Sequence, residues 1–410
     1  MLEFQMTDLF RISLVLILIL VLLRKKLNVG YVLLIASFAL FFLYRMGAGG
    51  ILDTLLKTVT GSIAIKLLLA LSLIRTLELI LREKNILSAM MTTAKTFFTR
   101  RKTIITSMPL LIGMLPSLGG AYFSAPMVKE ATSGIPMSQE EKAFINYWFR
   151  HPWEYVLPLY PGILLAAAIS GIPLYNIIKA NTIYAVALLG TGFLFSMRGI
   201  EKTAGITTKL RGKKKTRSMK AGEMASFLPI FAILLLVVLF QVELHIALLA
   251  TILPLLALYR YKPGDIVRVL RHGFGLEVII MILGIMLFKE SMEASGAVTN
   301  ISKFFLHQQI PLLPILCILP FITGFLTGIT VGFVGSTFPL LLSITGGASL
   351  ANISLAFAAG FIGVLLSPVH LCLVLTKEYF KADLWGIYKR IMPASLIIFI
   401  TALIQYLILR

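Results

Sequence analysis

Three groups of residues in this sequence carry side chains able to do chemistry. The first is the run Asn146-Tyr147-Trp148-Phe149-Arg150-His151-Pro152-Trp153-Glu154, which brings a guanidinium, an imidazole and a carboxylate close together. The second is Ser367-Pro368-Val369-His370. The third is a set of small and hydroxylated residues in two apolar stretches: Ser117, Gly119, Gly120 and Ser124 in one, Thr327, Thr330, Gly332, Ser336 and Thr337 in the other. A guanidinium presents a rigid fork of donors to a carboxylate or phosphate. His151, Glu154 and His370 can take up a proton, and a cluster of hydroxyls with free backbone carbonyls can replace the hydration shell of a cation. Blander roles stand beside these. Arg150 and Glu154 are four apart and able to pair along a helix, and small residues also serve close helix packing.

The elements that must position these groups lie in lipid. Of the 410 residues 58% are hydrophobic and 14% charged, with a mean hydropathy of +0.92. Apolar runs at Ile12–Leu23, Val29–Tyr44, Phe227–Phe240 and Ile391–Leu409 approach the ~20 residues that cross a bilayer core. The first run lacks a small-residue cleavage site and is expected to be retained. The net charge of +20 is carried between the apolar runs, where Lys and Arg set membrane orientation, so it does not point to nucleic acid. Cys317 and Cys372 both fall inside apolar segments and are expected to be buried thiols rather than a disulfide or a metal site.

Positive charge gives the expected threading. The segment Arg198–Lys220 carries nine basic residues against Glu201 alone and is assigned to the cytoplasm. Three further basic stretches, Arg24–Lys26, Arg82–Lys102 and Arg260–Arg271, are assigned to the same side. Threading the apolar runs through these anchors leaves Thr103–Val128 beginning and ending in the cytoplasm, interrupted by Pro109, Gly113, Pro116, Gly119, Gly120 and Pro126. A re-entrant hairpin over 103–128 fits, because non-helical backbone at membrane depth survives only where protein or a water-filled cavity satisfies it. The stretch Pro311–Ser343, broken by Pro320, Gly324, Gly328, Gly332, Gly335 and Pro339, repeats the problem from the other side. Both chain ends are then outside.

The expected fold is therefore all-α and polytopic, built from two inverted-topology repeats, 1–197 and 225–410, joined by a basic cytoplasmic linker at 198–224. Each repeat reads as three spans, an interfacial helix, a re-entrant hairpin (103–128 or 311–343) and two spans. Local matches support the duplication. Thr93–Phe98 resembles Asn300–Phe305, each on an amphipathic stretch suited to a membrane interface, and Phe123–Pro126 matches Gly335–Pro339. Paired Gly/Pro-broken segments in inverted repeats point to a substrate site between them. Ionisable residues at membrane depth, here Arg150, His151, Glu154 and His370, are functional candidates.

This layout resembles the ion transporter superfamily, which includes dicarboxylate, citrate and gluconate permeases. The pattern Leu-Pro-Ser-Leu-Gly-Gly-Ala-Tyr-Phe-Ser-Ala-Pro from Leu115, followed by Asn146–Pro161 and Leu366–His370, looks most like an uncharacterised prokaryotic domain-of-unknown-function family within it. The resemblance implies a homodimer in the cell membrane, with a scaffold, a moving transport domain and substrate and cation contacts at the hairpin tips. Here those would be Ser117–Gly120 and Thr330–Thr337, with the breaks at Arg150–Glu154 and Ser367–His370. The Ser-Asn-Thr tips of sodium-coupled dicarboxylate members are missing, since neither hairpin contains Asn.

The functional expectation is a secondary active transporter of a small anionic organic solute. It works by elevator-type alternating access and is coupled to H+ or Na+, with no other cofactor. Without the asparagines the balance moves to the proton, with Glu154 as its carrier and His151 as modulator. Two other readings are an intramembrane enzyme acting on a lipid-linked substrate, using His151 and Glu154 as acid and base with His370, and an ion channel. No His-x-x-x-His, nucleophile elbow or paired-aspartate motif supports the enzyme.

Overall fold

The computed structural model describes residues 2–86, 89–90, 93, 101–114, 120–196, 225–296, 308 and 311–410. Every regular element among them is helical. The first half runs α1 (Leu2–Arg24), α2 (Val29–Leu43), α3 (Ala48–Thr60), α4 (Ser62–Glu83), α5 (Arg101–Gly113), α6 (Gly120–Ala131), α7 (Gln139–Trp148), the single turn α8 (Trp153–Val156), α9 (Pro161–Ser170) and α10 (Leu174–Ser196). The second half opens on a short 3-10 turn at Ala225–Phe227, continues as α11 (Leu228–Leu234) and ends that helix in a π-helical turn at Leu235–Leu239. It then runs α12 (Leu244–Leu258), α13 (Pro263–Gly273), α14 (Leu276–Ala294), α15 (Leu312–Thr327), α16 (Thr330–Thr345), α17 (Leu350–Leu366), α18 (Leu371–Phe380) and α19 (Leu384–Leu409).

Among the described residues, five helical segments are long and apolar enough to cross a membrane: Gln139–Ser170, Leu174–Ser196, Pro263–Ala294, Leu350–Phe380 and Leu384–Leu409. Large apolar side chains cover the outside of the bundle, Phe42, Leu258, Leu407 and Ile408 among the most exposed, as in a protein whose solvent is hydrocarbon. Val29–Leu43 and Leu244–Leu258 are helices of 15 residues, ~22 Å long at the α-helical rise. Two elements were not expected at all. α3 and α13, of 13 and 11 residues, each follow one of these short helices. The basic stretch around Arg268 is thus a helix and not a loop, and Arg268 is bonded to Glu83 at the end of α4.

Local signals explain where the functional segments start and stop. Ser138 caps α7 by accepting from the Glu141 N–H, in an S-x-x-E box. Asp383 caps α19 through the Gly386 N–H, and Ser349 caps α17 through that of Asn352. α7 stops short of Pro152, which lacks an N–H, and α9 begins with Pro161 at its first turn. Pro368 ends α17 by forcing Ser367 out of helical geometry, and Ser367 is extended. α15 ends on Gly328, whose φ of +64° is left-handed and accommodates glycine without strain.

The two helical hairpins span α5–α6 and α15–α16, slightly longer than the 103–128 and 311–343 read from sequence. Each hairpin's arms pack on one another. α6 also packs on α18, and α16 on α9. The linker 198–224, residues 94–98 and 300–305 of the two amphipathic stretches, and site candidates Ser117 and Gly119 lie outside the described residues.

Candidate functional site

The breaks in the two interrupted spans meet in the interior. A helix that stops inside the protein leaves its last carbonyls unpaired, and here side chains from the breaks fill them. At the end of α5, the Trp153 indole N–H donates to the Leu110 carbonyl at 2.6 Å and the Tyr160 hydroxyl to that of Gly113 at 2.5 Å. At the end of α15, the Ser367 hydroxyl donates to the Phe325 carbonyl at 2.6 Å, and His370 Nδ1 lies 2.6 Å from the Gly328 carbonyl. Each hairpin is thereby tied to the broken span of its own half.

Several contacts cross between the halves, and two of them engage Glu154 and the histidines. Thr330, the first residue of α16, donates to Glu154 Oε2 at 2.6 Å. That places the carboxylate at the positive end of a 16-residue helix. His151 Nε2 lies 3.1 Å from His370 Nε2, while His151 Nδ1 lies 2.6 Å from the Tyr147 carbonyl. Glu154 Oε1 is 3.9 Å from His151 Nε2.

Arg150 closes the group. Its backbone abuts α5 at Gly113, where an added Cβ would fall 2.9 Å from Arg150 Cα. The side chain is only 4% exposed, and Nε and Nη1 have no hydrogen-bond partner among the described residues. The helical Arg150–Glu154 pair that the sequence allows is not formed; Glu154 is engaged by Thr330 instead. A buried guanidinium with two free donors is costly unless something anionic satisfies it.

The structure thus brings together Arg150, His151, Glu154, Thr330, Ser367 and His370. The other described candidates sit differently. Ser124, Ser336 and Thr337 are fully buried, with hydroxyls bonded to carbonyls of their own helices: Gly120 and Ala121, Gly332, and Phe333. Gly120 begins α6, and Gly332 lies in the first turn of α16 against Thr327. Sequence reasoning passed over Tyr147, Trp153, Tyr160 and the Gly328 carbonyl as parts of the site. Tyr147 and Trp153 stand in the run Asn146–Glu154 and Tyr160 just beyond it, and only their polar tips mark them.

One potential ligand atom from each of Cys372, His151 and His370 lies within 4.8 Å of the others, the one such donor group among the described residues. Two imidazoles on a tetrahedral zinc ion stand about 3.4 Å apart. The two Nε2 atoms stand 3.1 Å apart, close to that spacing and within the range of an N–H···N hydrogen bond.

A helical bundle with long apolar helices, interrupted where charged side chains meet in its interior, is the architecture of a membrane protein. Residues 5–409 match the profile of the family described as protein of unknown function (DUF401), and the chain belongs to that family. No curated protein matches the sequence.

Proposed function

We propose that this protein is a secondary active transporter of a small organic anion in a prokaryotic cell membrane, built from two inverted repeats and similar to the ion transporter superfamily. The observation that carries the reading is the buried Arg150 guanidinium, whose Nε and Nη1 have no partner among the described residues, where both broken spans meet the hairpin helices. A carboxylate or phosphate of the solute would supply the missing acceptors.

The pattern of helix contacts supports the repeat reading. The order of helix, hairpin and broken span recurs in the two halves, and the contacts are reciprocal. α4 packs on α12 and α13, and α14 packs on α2 and α3; α6 packs on α18, and α16 on α9; α7 packs on α19, and α17 on α10. Exchange of partners between halves is what a two-fold relation produces. An odd number of crossings per half turns that relation into an inversion, as in other transporters with broken helices. The ties between each hairpin and its own broken span make these elements one body, able to move against the packed α2, α4, α12 and α14 in an elevator-type cycle.

Coupling is to a cation, the proton rather than sodium. The hydroxyls that a sodium ion would need at Ser124, Ser336 and Thr337 are turned to their own helices, while His151, Glu154 and His370 form one contiguous group. A homodimer is the assembly this reading carries.

The test is uptake of radiolabelled mono- and dicarboxylates and inorganic phosphate into proteoliposomes, with and without an imposed pH gradient. At least one of these anions is expected to accumulate with the gradient, and Arg150→Gln to abolish the accumulation in a well-folded protein. Normal uptake by Arg150→Gln removes the guanidinium from the site.

A further inference from the structure

The hydrogen bonds of the two histidines fix their proton count. A carbonyl can only accept, so the Nδ1 of His151, 2.6 Å from Tyr147 O, and that of His370, 2.6 Å from Gly328 O, must each carry a hydrogen. In a neutral imidazole the other nitrogen is then a bare lone pair. The two Nε2 atoms face each other at 3.1 Å. Two neutral rings would set lone pair against lone pair, and two imidazolium rings would set N–H against N–H. Three hydrogens on the four nitrogens satisfy every contact. We propose that the His151–His370 pair holds one excess proton between its Nε2 atoms, and that this pair, rather than Glu154, is the seat of the coupling proton. The proposal rests on the transport reading for the word coupling, and on the hydrogen bonds alone for the proton.

The surroundings suit one positive charge. Glu154 Oε1 stands 3.9 Å from His151 Nε2 as a counter-ion. The Tyr147 ring lies 4.5 Å from the His151 ring and 5.6 Å from that of His370, and the Phe361 ring 6.2 Å from His151. The ionisable groups around the pair are Tyr147 and Arg150 at the end of α7, Glu154 and Tyr155 on α8, Tyr160 before α9, and Cys372 on α18. The α15–α16 hairpin contributes the Thr330 hydroxyl, held by Glu154.

The charges then explain why anion and proton would travel together. Arg150 and the protonated pair carry two positive charges against one negative on Glu154, and a monoanion brings the site to neutrality. Each ligand therefore raises the affinity for the other by the same factor. The proton enters by forming one N–H bond at an Nε2 lone pair and leaves to water by breaking it. Once it has left, the two lone pairs repel, and this one contact between the two halves opens.

The test needs no solute. Full-length protein with 15N-labelled histidine is reconstituted in lipid vesicles at neutral pH and read by solid-state NMR. His245, His272 and His307 are replaced by Gln, so that the pair alone contributes. A cross peak linking one protonated and one bare Nε2 is expected, lost in His370→Gln. Two uncoupled bare Nε2 signals overturn the proposal, as does one equivalent of zinc bound in place of the coupling. If the cross peak is present and no anion is transported, the transport reading fails and the proton seat stands. If pH-driven uptake occurs without the cross peak, the reverse holds.

Discussion

Replacing Thr330 by Val tests the contact that joins the first broken span to the second hairpin. Valine keeps the shape of threonine and removes the hydroxyl that donates to Glu154 Oε2. The observed 2.6 Å separation lies in the range of O–H···O⁻ bonds, shorter than the usual 2.7–2.8 Å of neutral hydroxyl contacts. A hydrogen bond to a charged group contributes about 1.5–3 kcal/mol, and a neutral one about 0.5–1.5 kcal/mol. Thr330→Val is therefore expected to cost about 1.5–3 kcal/mol in the native protein and about 0.5–1.5 kcal/mol in a Glu154→Gln background. Thr330→Ser keeps the donor and loses one methyl group, at most about 1 kcal/mol. The assay is reversible unfolding in mixed micelles for the wild type, the singles and the double variant, closed as a double-mutant cycle. An equal cost of Thr330→Val in both backgrounds would refute a charged Glu154 held by Thr330.

Gly113→Ala would put a Cβ 2.9 Å from Arg150 Cα and 3.0 Å from its carbonyl carbon; overpacking of this kind costs about 1–3 kcal/mol, and anion uptake by the expressed protein should fall as the guanidinium is displaced. Ser336→Ala and Thr337→Ala should leave uptake unchanged, because both hydroxyls bond carbonyls of their own helix; a loss in either would return α16 hydroxyls to the cation site. At the surface, hydrogen bonds from Arg268 hold the Glu83 carboxyl below the usual carboxylate range. A depressed carboxyl stabilises the fold above its unfolded pKa, and the contribution disappears as pH falls through the folded one. The loss of melting temperature in Arg268→Gln should therefore be full at neutral pH and shrink as pH falls below the ordinary carboxylate range, and a loss that does not change with pH would remove this pair as its cause.

Much of this arrangement is written in residue types. Apolar runs and sparse charge announce long apolar helices, and Pro152, Pro161 and Pro368 mark where spans must break, because proline removes a donor wherever it stands. Arg150, His151, Glu154 and His370 stand out as ionisable residues in apolar surroundings. Other parts leave little trace. α3 and α13 are too short for a clear helical period, and their charges look like those of a loop. Thr330 and Ser336 are equivalent as hydroxyls; they differ only in that one meets a carboxylate 176 positions away and the other meets its own preceding turn. The Tyr147 and Gly328 carbonyls, which set the tautomers of both histidines, are backbone groups and have no signature in any sequence.

The two hairpin ties differ in what they can transmit. The first is made by an indole and a phenol whose other atoms touch neither histidine through a hydrogen bond. The second includes an imidazole gripped at both nitrogens, by Gly328 on one side and His151 on the other. An aromatic ring does not stretch or bend, so His370 is a rigid strut between the tip of the second hairpin and the first broken span. Any swing of that tip away from its present position must either tear the Gly328 bond or drag Nε2 off His151. The opening of the second hairpin is thus geared mechanically to a contact in the opposite half.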